Sequence, residues 1–294
     1  MPKSLYNILV PVDFTSKNKW AITKAIELAN TFHCNVHLVH VSAGGLMPLL
    51  PLDMSMLMPS YDSADMTNAR KKLENLRDIY SNHICGGGKL EISLLKGNPS
   101  QQLADYVQKF EMDLVVVGLA RFNLLHRVLS TVSISRLARK TNVPVLTIRS
   151  SGLVSHFKKI VLPLTDNIPL HRIKFATMLA RSFKSTVYLV SLRDEQKEQN
   201  ATNGIMDTAL EVIQSLSTIP VQCFWLEGKN LAKSTLEFSK RINADLIMAN
   251  PLKEFHMPGW WNRITRKLLS YGSRIPVISD SRITESRNET ISAS

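Results

Sequence analysis

The chain has 294 residues, 44% of them apolar, and a formal net charge of +12 at pH 7. Its length predicts two domains of roughly 100–200 residues each, and no apolar run approaches the roughly 20 residues of a membrane-spanning helix. The positive charge favours polyanions such as nucleotides, but like charges form no block of about five residues, so we expect a generic basic surface and no nucleic-acid partner.

The first predicted strand follows the N-terminus directly. Residues 1–14, MPKSLYNILVPVDF, lack the basic, apolar and small-residue zones of a signal peptide. We therefore expect a cytoplasmic protein without membrane insertion. The odd number and the spacing of the three cysteines, Cys34, Cys85 and Cys223, predict reduced, mostly buried thiols and no metal site.

Short apolar strands alternate with amphipathic helices through the first half of the chain. The predicted strands lie near 6–12, 35–41, 89–95, 113–118 and 144–148. The predicted helices lie near 17–32, 63–83, 99–110 and 131–140. Strands that are apolar throughout are typical of a parallel sheet with helices on both faces.

The second half repeats this order. The run NILVPVD at 7–13 returns as KIVLPLT at 159–165, and DLVVVG at 113–118 returns as DLIMAN at 245–250. The strands of the second copy are predicted near 159–164, 186–191, 220–226, 245–249 and 275–279. We therefore predict tandem domains at 1–150 and 156–281, followed by a polar, disordered tail at 282–294.

The first copy is longer than the second by an insertion near residues 43–62. Within it, residues 46–59 are rich in methionine, leucine and proline, which favours an adaptable lid or an interface. A soft Cu(I) site at Met54, Met56 and Met58, or an apolar cleft for a lipid-like ligand, are the alternatives.

Ligands of open parallel sheets bind beyond the carboxyl ends of the strands, where the strand order reverses. This rule points to Pro11, Val12 and Asp13 after the first strand, and to Gly118 after the fourth. The segment after Gly118 leads through Ser-Thr-Val-Ser at 130–133 into the last predicted helix of this copy. A helix N-terminus offers free N–H groups and a positive dipole end to a phosphate.

Taken together, the Pro-Val-Asp strand end, the Gly118 turn, Ser-Thr-Val-Ser and the closing Val-Pro-Val strand resemble the universal stress protein family. The resemblance spans both copies. It implies two tandem doubly wound five-stranded parallel sheets of order 3-2-1-4-5. This is the adenine-nucleotide alpha-hydrolase-like fold. It also implies a stress-response binding module whose first domain senses or holds an adenine nucleotide, ATP or AMP.

The same resemblance implies a set of binding residues. The aspartate after the first strand and the backbone after the second contact the base and ribose in ATP-binding members, and these positions are Asp13 and Val41. The phosphate loop of the family has the pattern Gly-x2-Gly-x9-Gly-Ser/Thr. The implied cofactor-binding residues are Pro11, Val12, Asp13, Val41, Gly118, Arg121, Ser130, Thr131 and Val132.

This chain departs from the family's phosphate loop, because Arg121 and Ser130 replace two glycines. If both positions need positive φ, each replacement costs about 1–2 kcal/mol, which weakens ATP binding roughly 30- to 1000-fold. A charge-assisted contact from Arg121 to a phosphate recovers about 1.5–3 kcal/mol. Purely structural roles also fit: a helix cap for Asp13, a tight turn for Gly118, and N-cap positions for Ser130 and Thr131.

The second copy has lost more of this pattern. Thr165 stands at the position of Asp13, Asn250 at that of Gly118, and Trp260 and Trp261 fall within the would-be phosphate loop. We expect no ATP in this copy.

No nucleophile–histidine pattern, paired carboxylates, HExxH motif or complete P-loop is present in the sequence, so no catalytic residue is assigned. Weak ATP hydrolysis and a non-nucleotide-binding interaction scaffold, with a basic surface or an apolar cleft, are the alternative functions. The family resemblance implies that the two domains pair through their last strands, near 143–148 and 275–278, and it is compatible with a homodimer.

Overall fold

The computed structural model describes residues 5–42, 63–119, 140–149, 156–165, 168–193, 199–249 and 274–280. The chain divides into two compact units, one within Leu5–Ser150 and the other within Ser151–Ser294. Several predictions lie outside the described residues: the helix near 131–140, the methionine-rich segment 46–59, both tryptophans of the second copy's loop and the tail at 282–294.

The first unit contains one parallel sheet of five strands in the order β3-β2-β1-β4-β5. Its elements are, in chain order, β1 (Asn7–Pro11), α1 (Lys17–Phe32), β2 (Asn35–Ser42), α2 (Ser63–Tyr80), β3 (Leu90–Lys96), α3 (Pro99–Lys109), β4 (Leu114–Gly118) and β5 (Val145–Ile148). Consecutive residues Ile8, Leu9 and Val10 of β1 are all buried, so helices cover both faces of the sheet. The predicted fold class and strand order are confirmed.

The second unit repeats this topology with the strand order β8-β7-β6-β9-β10. Its elements are β6 (Lys159–Pro163), α4 (Leu170–Phe183), β7 (Thr186–Leu192), α5 (Gln199–Leu216), β8 (Val221–Leu226), α6 (Leu231–Arg241), β9 (Leu246–Ala249) and β10 (Val277–Ser279). Its core gathers buried apolar residues from all five strands and α6, among them Val161, Val190 and Phe238.

An aspartate joins the first and fourth strands of each unit. One carboxylate oxygen of Asp113, just before β4, accepts hydrogen bonds from the backbone N–H groups of Tyr6 and Asn7, at 2.8 and 3.1 Å. Asp245, just before β9, accepts from the N–H groups of Lys158 and Lys159, both at 2.9 Å. The aspartates therefore satisfy backbone donors at the amino end of each central strand.

Some details differ from the sequence predictions. The helix predicted near 63–83 ends at Tyr80 and continues as a 3₁₀ turn over Ser81–His83. The expectation of mostly buried thiols is wrong, because Cys34 is buried whereas Cys85 and Cys223 are exposed. Across the described residues, no helix combines the length and the apolar character that crossing a membrane requires.

Candidate functional site

The carboxyl edge of the first sheet brings together five of the predicted site residues. Pro11 ends β1, and the N–H of Val12 donates to the carbonyl of Val39 on β2 at 2.8 Å. Strand β2 continues to Ser42 and so carries Val41 beyond the end of β1, while Gly118 ends the neighbouring β4. Asp13 follows directly after Val12. The other four predicted residues, Arg121, Ser130, Thr131 and Val132, lie outside the described residues.

The Asp13 carboxylate is held by its own loop. Its Oδ1 accepts hydrogen bonds from the backbone N–H of Thr15 at 3.1 Å and from the Thr15 hydroxyl at 2.6 Å. Its Oδ2 lies 2.5 Å from the ammonium of Lys17. The Asp13 side chain is nevertheless 44% exposed, so it is oriented by the protein and accessible to a ligand.

The same contacts fix its charge. Burial acts to raise the pKa of the Asp13 carboxyl group, but the hydrogen bonds from Lys17 and Thr15 and the charge of Lys17 outweigh burial. The resulting pKa lies below the usual value of 3.8, so Asp13 is ionised at neutral pH.

Asp13 is not a simple helix cap. Ser16 occupies the N-cap position of α1 and makes no side-chain cap hydrogen bond within the described part of the chain. The buried Asn18 organises the turn instead. Its Oδ1 accepts from the N–H groups of Asp13 and Thr15, and its Nδ2 donates to the carbonyl of Pro11 at 3.3 Å.

Gly118 has a steric role in the fold, beside the binding role that the family resemblance implies for it. It is the last, extended residue of β4 and pairs with Ile148 of β5, so it does not form a tight turn. A Cβ at this position would lie 2.1 Å from the carbonyl oxygen of Lys17. Only glycine therefore allows the first turn of α1 to pack directly on the end of β4.

An aromatic and basic cluster lies beside Asp13. Phe14 has a left-handed backbone with φ of 58°, which is uncommon for a residue with a side chain. Its ring centroid is 4.5 Å from that of His40, whose Nδ1 donates to the carbonyl of Val12 at 2.7 Å. The ammonium of Lys72, on α2, lies 5.5 Å from the centroid of the Phe14 ring.

Four residues that organise this edge were not predicted from the sequence: Lys17, Asn18, His40 and Lys72. The sequence offered no clear signal for Lys17, because Asp13 lies in the loop before α1 and the helical spacing rule does not apply to the pair. His40 and Lys72 reach the site from β2 and α2 through tertiary contacts, which no local pattern reveals.

The corresponding edge of the second unit is built differently. Thr165 stands where the first unit has Asp13, and the Arg172 guanidinium donates to the Pro163 carbonyl at 3.4 Å, as Asn18 does to Pro11. Arg172 is 4% exposed and Asp280, just after β10, is 1% exposed. Burial lowers the pKa of Arg172 to about 10, and the charge of Asp280 opposes that shift.

The family model described as "Universal stress protein family" matches residues 6–149. A universal stress protein of Methanocaldococcus jannaschii is 24% identical over 149 residues, which cover 50% of this chain and 84% of that protein. The crystal structure of a universal stress protein from Archaeoglobus fulgidus aligns with a TM-score of 0.69 at 14% identity, over 94% of this chain and 96% of the other.

A putative universal stress protein from Pseudomonas aeruginosa aligns over 94% of this chain and 92% of its own, with a TM-score of 0.51 and 16% identity. The structural matches extend the fold to both units. Because the family's model covers residues 6–149, nearly all of the first unit, that unit belongs to the universal stress protein family.

Proposed function

We propose that the first unit binds an adenine nucleotide at the carboxyl edge of β1, β2 and β4. The observation that carries this proposal is the Asp13 carboxylate, which is ionised, oriented by Thr15 and Lys17, and 44% exposed at that edge. An oriented acceptor of this kind suits the amino group of a base or the hydroxyl groups of a ribose.

The surroundings of Asp13 support the same proposal. The first turn of α1 packs against Gly118, which brings the positive end of a helix dipole to the end of β4. Lys17 and Lys72 add two positive charges near one carboxylate, so the edge favours an anionic ligand. The roles of Val41 in contacting the base, and of Arg121, Ser130, Thr131 and Val132 in contacting phosphate, remain predictions of the family resemblance.

We propose a binding role and no chemical step. Among the described residues proposed to form the site, Asp13 is the acidic side chain, and it is already paired with Lys17. That arrangement suits recognition of a ligand better than general base catalysis, for which the carboxylate would need a raised pKa.

Calorimetric titration of ATP with Mg²⁺ tests the proposal. Wild-type protein is expected to bind with micromolar affinity, and Asp13→Ala to lose at least about tenfold of it, which is one strong charge-assisted hydrogen bond. Thr165→Ala, at the matching position of the second unit, is the control and should bind like wild type. No heat from wild type up to millimolar ATP would contradict the proposal and favour the interaction scaffold.

A further inference from the structure

Lys17 contacts two of the candidate site residues, Asp13 after β1 and Gly118 at the end of β4. Its ammonium lies 2.5 Å from Asp13 Oδ2, and its backbone carbonyl packs against the Cα of Gly118. It is the first residue of α1 and its side chain is 25% exposed.

The hydrogen-bonding groups of this ion pair are only partly used. A lysine ammonium has three N–H donors, of which Asp13 engages one within the described residues. Asp13 Oδ1 already accepts two hydrogen bonds from Thr15, whereas Oδ2 accepts from Lys17 alone among the described residues. The pair therefore presents both a donor and an acceptor at the carboxyl edge.

The Lys17 ammonium can leave Asp13 and bind a ligand at a small cost in free energy. Water screens an ion pair whose members are 25% and 44% exposed, so the pair contributes little to stability. A phosphate group carries more negative charge than a carboxylate and forms stronger charge-assisted hydrogen bonds. Thr15 keeps Asp13 oriented when Lys17 leaves, because its two hydrogen bonds go to the other carboxylate oxygen.

We propose that Lys17 is a specificity residue of this site: its ammonium binds a phosphate group of the nucleotide, while Asp13 accepts a hydrogen bond from the sugar or base. This inference rests on the proposed nucleotide binding. Under this proposal, Lys17 discriminates nucleotides from nucleosides, because a nucleoside offers the same hydrogen bonds to Asp13 but has no phosphate group.

The experiment compares ATP and adenosine in calorimetric titrations of wild type, Lys17→Met and Lys19→Met. Methionine has a similarly long, unbranched side chain and a helix propensity close to that of lysine, and it leaves the backbone carbonyl of residue 17 against Gly118. Lys19 is exposed on the same helix, so its variant removes the same charge away from Asp13. Thermal unfolding of each variant checks that it is folded.

Lys17→Met should weaken ATP binding about tenfold or more, the effect of one lost charge-assisted hydrogen bond, and leave adenosine binding unchanged or stronger. Lys19→Met should change neither. Equal weakening of ATP and adenosine would overturn the inference, because Lys17 would then act only by orienting Asp13; unchanged ATP binding would overturn it as well. Wild-type protein that binds neither ligand would overturn the proposed function and, with it, this inference.

Discussion

Gly118 shows how one residue couples the fold to the site. Its Cα is in contact with the Lys17 carbonyl, and a Cβ would lie 2.1 Å from that oxygen and 2.8 Å from the carbonyl carbon. Both atoms belong to the backbone, so the overlap could be relieved only by moving α1 away from β4. Such a movement would also displace the turn that holds Asp13.

Gly118→Ala should therefore lower the free energy of unfolding by about 1–3 kcal/mol or more, because overpacking against the backbone cannot be relieved by a rotamer change. Urea denaturation measures this. Gly204→Ala is the matched control, since Gly204 lies in α5 with nothing within 4 Å of its would-be Cβ. That variant should gain up to about 1 kcal/mol from helix propensity. Equal stability of the two variants would contradict the steric role of Gly118.

His37 is a second residue with a consequence for the whole unit. It lies on β2 with 4% exposure, and its Nδ1 is 3.0 Å from the Tyr106 hydroxyl and 3.5 Å from Glu91 Oε2. Ser93 contacts the same hydroxyl at 3.0 Å. Burial lowers the pKa of His37, and the Glu91 carboxylate only partly opposes this. The folded protein therefore resists protonation of His37 more than the unfolded chain does.

The sign of the pH dependence follows. At pH values below about 6.5 the unfolded chain binds a proton at this histidine before the folded protein does, so stability falls as the pH drops. The melting temperature of His37→Gln should fall less between pH 7 and pH 5 than that of wild type. His83→Gln, at an exposed position, should keep the wild-type slope. Parallel pH profiles for wild type and His37→Gln would refute this account.

At the scale of elements, α6 buries two hydroxyl groups at positions where its counterpart in the first unit, α3, has apolar side chains. Thr235 and Ser239 are fully buried on α6, and their hydroxyl groups have no hydrogen-bond partner among the described residues. The fifth and ninth residues of α3, at the same positions of an equally long helix, are the buried Leu103 and Val107. An unpaired buried hydroxyl opposes folding because it has lost its hydrogen bonds to water.

Thr235→Val should therefore raise the free energy of unfolding by about 1–3 kcal/mol, the usual cost of an unpaired buried hydroxyl. Thr177→Val is the matched control, because Thr177 is equally buried but its hydroxyl donates to the Ile173 carbonyl at 2.8 Å. Chemical denaturation should show a gain for the first variant and none for the second. A loss of stability in Thr235→Val would contradict the interpretation.

The approximate bounds of the strands could be predicted because buried parallel strands are apolar throughout, as Ile8, Leu9 and Val10 illustrate, whereas the strand order within the sheet came from the family resemblance. The carboxyl edge followed from topology alone, and Asp13, Val41 and Gly118 do meet there. The side-chain roles could not be predicted in the same way. Glycine is required at position 118 because α1 approaches the end of β4 closely, and the position of Lys72 depends on the packing of α2.

The whole molecule contains one topology twice with two different carboxyl edges. The aspartates before β4 and β9 make the same backbone contacts, so the amino ends of the two sheets are built alike. At the other end, His40 donates to the Val12 carbonyl and Ser191 donates to the Leu164 carbonyl. Selection for a ligand in one unit alone would explain why the two carboxyl edges differ. The pairing of the domains through their last strands stays a prediction.

The stoichiometry of binding tests whether the edges differ in function. The second unit has Thr165 in place of a carboxylate, and its guanidinium at this edge is buried and balanced by Asp280 rather than available to a phosphate. Calorimetric titration should therefore yield about one ATP per chain, and Asp13→Ala should weaken that single site at least about tenfold. Thr165→Asp should not add a second site, because the added carboxylate would still lack the turn that Thr15, Lys17 and Asn18 provide in the first unit. Two ATP per wild-type chain, or a site whose affinity is unchanged by Asp13→Ala, would show that the second unit also binds the nucleotide.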